Sequence, residues 1–344
     1  MKKKVAVVLF NLGAPEKLSD VRSFLFSLFY DKNIINIINP FRFLIAKLIA
    51  SYREKSTIKI YRRLANEKSP LLEETNLQAA ALEKYLNFNQ ENSIYKVFIC
   101  MRYTNPCAKT IIQSVANFLP NKVILLPLYP HYSSTTTLSS IKDWHYHAKK
   151  YKFPTSIICC YYNNSYYIKA YCQIIYTEYT KALKIHNTPR ILFSAHSLPI
   201  SIVNKGDPYH KQIHYSASMI VKALNIKTLD WVICYQSKIG YVKWLEPCTK
   251  SEILRAQQDN VPVIIVPISF VSENSETLFE LDIYYKSLLS KKLYFRVPTL
   301  GINKLFIKCL KDLCIKSQLH CNLTLQCSYN NKMCWHNTKK LFQH

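Results

Sequence analysis

The chain has 344 residues, 49% hydrophobic and 19% charged, so it is a folded protein with room for two ordinary domains. Its four glycines, Gly13, Gly206, Gly240 and Gly301, lie too far apart for GxGxxG or GxxxxGKS/T, which excludes dinucleotide and P-loop enzymes of standard type. Lysine and arginine outnumber acids 46 to 21, a net charge of +25, open to three readings: codon bias of an AT-rich genome, attraction to an anionic membrane surface, or nucleic acid.

No aromatic-basic module supports nucleic acid, and no such partner is expected. From the N-terminus, Met1–Lys4 leads into Val5–Phe10, an apolar run too short for a signal peptide. The greasy segment Ile34–Ala50 is broken by Asn36, Asn39, Pro40, Arg42 and Lys47. It reads as a surface or pocket-lining helix, not a membrane span. Further apolar runs follow at Val97–Cys100, Val123–Leu128, Ser156–Cys160, Ile191–Phe193, Trp231–Cys234 and Val261–Ile268. They are near-continuous hydrophobes, the pattern of parallel strands covered on both faces. Helical patterns separate them at Glu73–Leu86, Ala108–Phe118, Tyr166–Leu183, Tyr209–Leu224 and Thr249–Gln258. This alternation predicts an α/β fold of two doubly wound halves with parallel sheets.

The expected halves are 1–150, with a pocket lip at about 16–65, and 151–316. The switch is placed near Lys149-Lys150 and Pro154. Gly301–Lys316 is helical in period and is expected to pack back on the first half. Residues 317–344 form a polar, cysteine-dotted tail, expected to be loosely ordered. The twelve cysteines include no CxxC, so free thiols in a reducing compartment are expected, with the protein in the cytoplasm.

Ligands of doubly wound sheets sit beyond the carboxyl ends of strands. The first run ends at Asn11-Leu12-Gly13. The run at 191–193 continues into Ser194-Ala195-His196-Ser197-Leu198-Pro199. Imidazole there is a metal ligand, a proton acceptor or a loop residue in a hydrogen bond. After Val261–Ile268, four of the 21 acids fall within ten residues: Glu273, Glu276, Glu280 and Asp282. Ser272 or Ser275 is the expected helix cap. Glu276 and Glu280 then stack at i and i+4, where like charges repel. Sharing a cation or a proton relieves that repulsion, so His196 with the acidic row points to metal handling or proton removal. Clustering of acids at a helix N-terminus is the rival explanation.

These segments resemble the ferrochelatase family. The resemblance rests on Phe193–Pro199, Val203–Tyr209, Tyr235–Gly240 with Trp244, Leu245 and Pro247, and Pro267–Phe270 with Ser272-Glu273 and Glu276–Leu278. Asn11–Gly13, Ser69-Pro70, Met101–Tyr103 with Asn105-Pro106, and Leu126–Pro130 fit in the same order, over about 5–315. It implies two Rossmann-like, chelatase-like halves with a porphyrin cleft between them. It also implies insertion of ferrous iron into protoporphyrin IX to give protohaem, with loss of two protons. By the same resemblance His196 is the pyrrole-proton acceptor or metal contact, and Glu276 its carboxylate partner across the macrocycle. Glu280 continues a row passing metal or protons. Leu12 touches the ring face, Arg53, Tyr61 and Ser69 lie near the propionates, and Tyr129, Trp244 and Phe270 are cleft-wall aromatics. The 25–50 segment corresponds to the family's lip over the pocket, which can rest on a membrane surface.

The chain also departs from the family pattern. Asn274 stands where a histidine is usual, and Tyr284 where a third carboxylate often continues the row. Ala65–Lys68 replaces a glycine-rich turn. Ser134 replaces the early cysteine of members carrying a 2Fe–2S cluster, while Cys309, Cys314, Cys321, Cys327 and Cys334 are spaced too widely. No cluster and no resident cofactor are expected; Fe2+ is a substrate. Two alternatives stay open: a chelatase for coproporphyrin III, sirohydrochlorin or cobalt, and a non-catalytic porphyrin or haem binder.

Overall fold

The computed structural model describes residues 2–240, 242–319 and 325–326. The chain forms two compact units, dividing between Cys160 and Tyr161; the described residues from Leu310 to Gln326 count with the first unit again.

In the first unit β1 (Lys3–Asn11) lies between β2 (Ser93–Met101) and β3 (Lys122–Pro127), and β4 (Thr155–Ile158) lies beyond β3. All pairs are parallel, as is a two-residue strand, Leu325–Gln326, on β4. Val5–Phe10 is buried throughout, so the strand is an unbroken apolar run and not an alternating one. The hairpin preceding β2 is helical: α1 (Val21–Tyr30) packs Val21, Leu25 and Phe29 on Ala46 and Ala50 of α2 (Phe41–Tyr61). The alanines let the two axes approach. Next come α3 (Leu71–Asn87), α4 (Ala108–Asn117) and α5 (Ser139–Ala148). Trp144 of α5 packs with Phe10, Ile112 and Val115 in the core beside the sheet.

The second unit repeats the strand order. β5 (Arg190–His196) lies between β6 (Asp230–Gln236) and β7 (Val263–Val266), with β8 (Tyr294–Arg296) beyond β7, all parallel. The helices are α6 (Ser165–Leu183), α7 (Ile200–Asn204), α8 (Tyr209–Leu224) and α9 (Thr249–Gln258). Each strand read from the sequence exists, with its end moved by a few residues. β8 was not foreseen: three residues, Tyr-Phe-Arg, make no apolar run, and only pairing with β7 extends them.

α10 (Lys304–Leu319) is the last helix among the described residues. Lys122 Nζ donates to the carbonyls of Ser317 and Gln318 at 2.7 and 3.0 Å, a cation on the last helical turn. The expected loose tail lies outside the described residues apart from 317–319 and 325–326. Among the described residues no helix is long and apolar enough to cross a membrane.

In this strand order the switch point lies beside the first strand of each unit. Leu12, after β1, and His196, ending β5, therefore hold equivalent places in the two sheets.

Candidate functional site

His196 is half exposed at the end of β5 and is held by three neighbours. Its backbone N–H donates to Ser269 Oγ at 3.0 Å, and its carbonyl accepts from the Tyr209 hydroxyl at 3.0 Å. Its Nδ1 lies 2.6 Å from the Ser197 carbonyl oxygen. That oxygen carries no proton, so Nδ1 must be the donor and Nε2 is left as the functional nitrogen. Nε2 faces Glu276 Oε2 at 3.6 Å.

This distance corrects the expectation of partners across a macrocycle. A flat ring touching both groups would hold them roughly 7 Å apart, at about 3.5 Å a side. The two side chains instead stand together in one unit. β5 pairs with β7, and the chain leaving β7 turns back over the end of β5. The favoured occupant between imidazole nitrogen and carboxylate oxygen is a proton or a metal ion.

The acidic row splits into two pairs. Glu276 and Glu280 converge on Ser237, the residue after β6. Ser237 Oγ lies 3.0 Å from Glu276 Oε2 and 2.8 Å from Glu280 Oε1, and its N–H donates to Glu280 Oε2 at 3.1 Å. The Gln236 amide reaches Glu280 Oε2 at 3.5 Å and accepts from Ser194 Oγ at 2.6 Å. One hydroxyl has one hydrogen to give, so satisfying both carboxyl contacts requires a further proton on one carboxyl. Burial and, second, the charge of Glu276 push Glu280 up to about 7. Ser237 has φ +63°, a left-handed conformation uncommon outside glycine. Sequence reasoning missed this residue. Its signal was the Tyr235–Gly240 motif, at a strand's carboxyl end.

Glu273 and Asp282 serve Arg296 instead. The guanidinium pairs with Glu273 Oε1 and Asp282 Oδ2, each at 2.6 Å. Glu273 also accepts from Thr299 N–H at 2.9 Å and Thr277 Oγ1 at 2.6 Å. Burial works against its charge, but Arg296 and these donors outweigh it and hold the carboxyl below the usual range. This anchors the π-helical segment Thr277–Tyr284 to the end of β8. The cap is Asn274, not Ser272 or Ser275. Its Oδ1 accepts from the N–H groups of Glu276 and Thr277 at 2.8 and 3.1 Å.

The Phe270 ring lies 6.5 Å from the His196 ring. Trp244 bridges to Pro199 and donates Nε1–H to the Ile239 carbonyl at 3.1 Å. In the first unit Leu12 is half-buried, its carbonyl accepting from Tyr103 N–H at 3.0 Å. Arg53, on α2, lies 5.9 Å from the Phe29 ring centroid. Tyr61 and Ser69 are buried, and Ser69 Oγ accepts from Leu71 N–H at the start of α3. Tyr129, after β3, packs on the first core. Tyr284 is exposed and stacks obliquely on Tyr285. Ser134 opens a π-helical segment, and Cys309 and Cys314 are buried in α10; Cys321, Cys327 and Cys334 lie outside the described residues.

A charge network behind Leu12 was also missed. Asp31 is buried and accepts from Arg102 Nη2 at 2.9 Å, from the Tyr103 hydroxyl at 2.8 Å and from Ser139 Oγ. Arg102 Nε also donates to Ser139 at 2.7 Å.

The family profile described as Ferrochelatase matches residues 4–318. A ferrochelatase of Wolbachia sp. subsp. Drosophila simulans (strain wRi) is 59% identical over 314 residues, covering 91% of this chain and 99% of that protein. A ferrochelatase of Rickettsia bellii (strain OSU 85-389) is 47% identical over 317 residues, covering 92% and 87%. Among solved structures, SirB from Bacillus subtilis with Fe3+ matches with a TM-score of 0.53 at 9% identity, covering 92% of this chain and 95% of that one. At that identity the likeness concerns the fold alone.

Proposed function

The chain belongs to the ferrochelatase family and inserts Fe2+ into protoporphyrin IX, yielding protohaem and two protons, and we propose that His196 and Glu276 receive the pyrrole protons. The observation carrying this reading is the commitment of His196 Nδ1 to the Ser197 carbonyl, which leaves Nε2 facing Glu276. A base within hydrogen-bond reach of a reacting proton is the first requirement of proton removal. Ser237 then links Glu276 to Glu280, and Glu280, raised to about 7, exchanges protons near neutral pH. Imidazole and carboxylate are also suitable ligands for incoming iron, so His196 and Glu276, 3.6 Å apart, meet the metal as a pair, with Glu280 joined to them through Ser237 rather than as a third ligand of one preformed cluster.

Phe270 and Trp244 offer aromatic faces to the ring, and Leu12 and Tyr129 offer apolar and phenolic contact. Arg53 pairs with a propionate. Tyr61 and Ser69 belong to the same propionate set; both are buried, so their contact requires the segment 61–69 to move. A flat macrocycle hides its N–H groups from a base in its plane, and binding along these walls supplies the energy to distort it. No resident cofactor enters this reading.

Peripheral membrane contact is part of the proposal. α2 and the turn before it expose Ile38 (75%), Leu48 (70%) and Tyr52 (89%), with Phe41 and Leu44 beside them. Arg42, Lys47 and Lys55 share that helix. An apolar face with cations at its border suits an anionic lipid surface.

The test of the catalytic reading is metallation followed by absorbance, with purified protein, Fe2+ and either protoporphyrin IX or coproporphyrin III. Faster turnover of protoporphyrin IX is expected. Preference for coproporphyrin III, or binding without metallation, would overturn it.

A further inference from the structure

The second unit carries another pair of imidazoles, remote in sequence from the acidic row. α8 presents His210 and His214 four residues apart, one turn along the same face. Their ring centroids are 4.4 Å apart, with planes inclined by 48°. The His210 ring also lies 6.1 Å from the Tyr235 ring at an interplanar angle of 23°, which restricts its rotamer. His214 is exposed and His210 half-buried. Among the described residues no hydrogen bond occupies the nitrogens of either ring.

We propose that His210 and His214 form a second, solvent-accessible site for a divalent transition-metal ion, held by two imidazole nitrogens and completed by water. Two histidines at i and i+4 are the arrangement by which a helix directs two nitrogens at one metal. Among the described residues no cluster of three or more His, Cys, Asp or Glu is placed to hold an ion, so water supplies the remaining ligands and the ion exchanges readily. The donor set is purely nitrogenous, so affinity rises from Fe2+ through Co2+ to Ni2+ and Cu2+. The site therefore favours competitors of iron over iron itself. Both imidazoles are held below the ordinary histidine range. Burial is the main cause for each, followed by Lys211 for His210 and by His210 for His214. Tyr209, one residue before His210, bonds to the His196 carbonyl, so α8 begins against the strand end that carries the proposed proton acceptor. The proposal stands on the α8 geometry and does not depend on the roles given to His196 and Glu276.

The test uses Ni2+ and the full chain with His196→Ala, which removes the imidazole facing Glu276, followed calorimetrically near pH 7.5. One Ni2+ is expected to bind. Further replacement His210→Ala or His214→Ala weakens it by about tenfold or more, because the second donor of a chelate acts at high effective concentration. Side-chain NMR should show paramagnetic broadening of both imidazoles. His214→Gln, on an exposed position, serves as the second variant should His210→Ala disturb packing on Tyr235. In an otherwise native chain His214→Gln should leave iron insertion unchanged. Ni2+ affinity that survives all three substitutions, or broadening confined to other residues, would overturn the proposal.

Discussion

The Nε2 of His196 and Oε2 of Glu276 stand 3.6 Å apart, while the Ser197 carbonyl holds the opposite ring nitrogen. On the proposed reading the pair acts as one proton-accepting unit, since both side chains belong to the same unit. His196→Ala should therefore reduce iron insertion by about a hundredfold or more, while porphyrin binding, read by fluorescence quenching, survives. Glu276→Gln should lower kcat far more than Asn274→Ala. The latter removes a helix cap and should cost about 1 kcal/mol of stability. Equal kinetic effects at 276 and 274 would contradict the roles assigned.

Ser237 Oγ lies between two carboxyl groups, donating to one and accepting from the other when that one is protonated. Ser237→Ala removes that link but keeps the N–H bond to Glu280. Turnover should fall by about tenfold, the equivalent of one lost hydrogen bond of roughly 1.4 kcal/mol, with KM for Fe2+ raised. Steady-state kinetics with iron varied decides this; unchanged kcat and KM would remove Ser237 from the relay.

Asp31 gives the chain an acid-sensitive anchor. Burial opposes its ionisation, but Arg102, Ser139, the Asn33 N–H and Tyr103 outweigh it and hold its carboxyl below the ordinary aspartate range. A carboxylate depressed in the folded state stabilises above its unfolded value and loses that contribution as pH falls through the folded one. Asp31→Asn should therefore cost about 3 kcal/mol at pH 7, since it takes from Arg102 its 2.9 Å carboxylate partner and leaves only Asp143, at 3.6 Å, to offset the buried charge. The gap to the parent protein should narrow as pH drops below 3.8. Urea unfolding at neutral and acid pH measures both.

Gly13 follows Leu12 with φ +87°, and a Cβ there would fall 2.3 Å from Thr104 Oγ1. Gly13→Ala should cost about 2 kcal/mol or more through conformation and overlap together. Adding Thr104→Ala should recover only part of the unfolding midpoint, because the backbone strain remains.

The exposed face of α2 should carry membrane affinity. Leu44→Glu and Leu48→Glu should each weaken binding to anionic vesicles by about tenfold, the loss of one buried leucine. Insertion into detergent-dissolved porphyrin should not change. Co-sedimentation that is equal for the parent protein and both variants would remove lipid from the proposal.

The sequence alone determined most of the scaffold and the address of the site. Parallel strands covered on both faces must be unbroken apolar runs, so seven strands were legible, and ligands gather where such strands end. That placed His196 and, from the scarcity of acids, Glu276 and Glu280. The tertiary structure decided which neighbours those groups meet. Four acids within ten residues look equivalent in one dimension; the arrival of Arg296 from β8 claims Glu273 and Asp282, and Ser237 from β6 gathers Glu276 and Glu280. The His196–Glu276 separation likewise follows from the pairing of β5 with β7. Local patterns record burial and period, whereas distances between side chains on different strands arise only when the sheet brings those strands together.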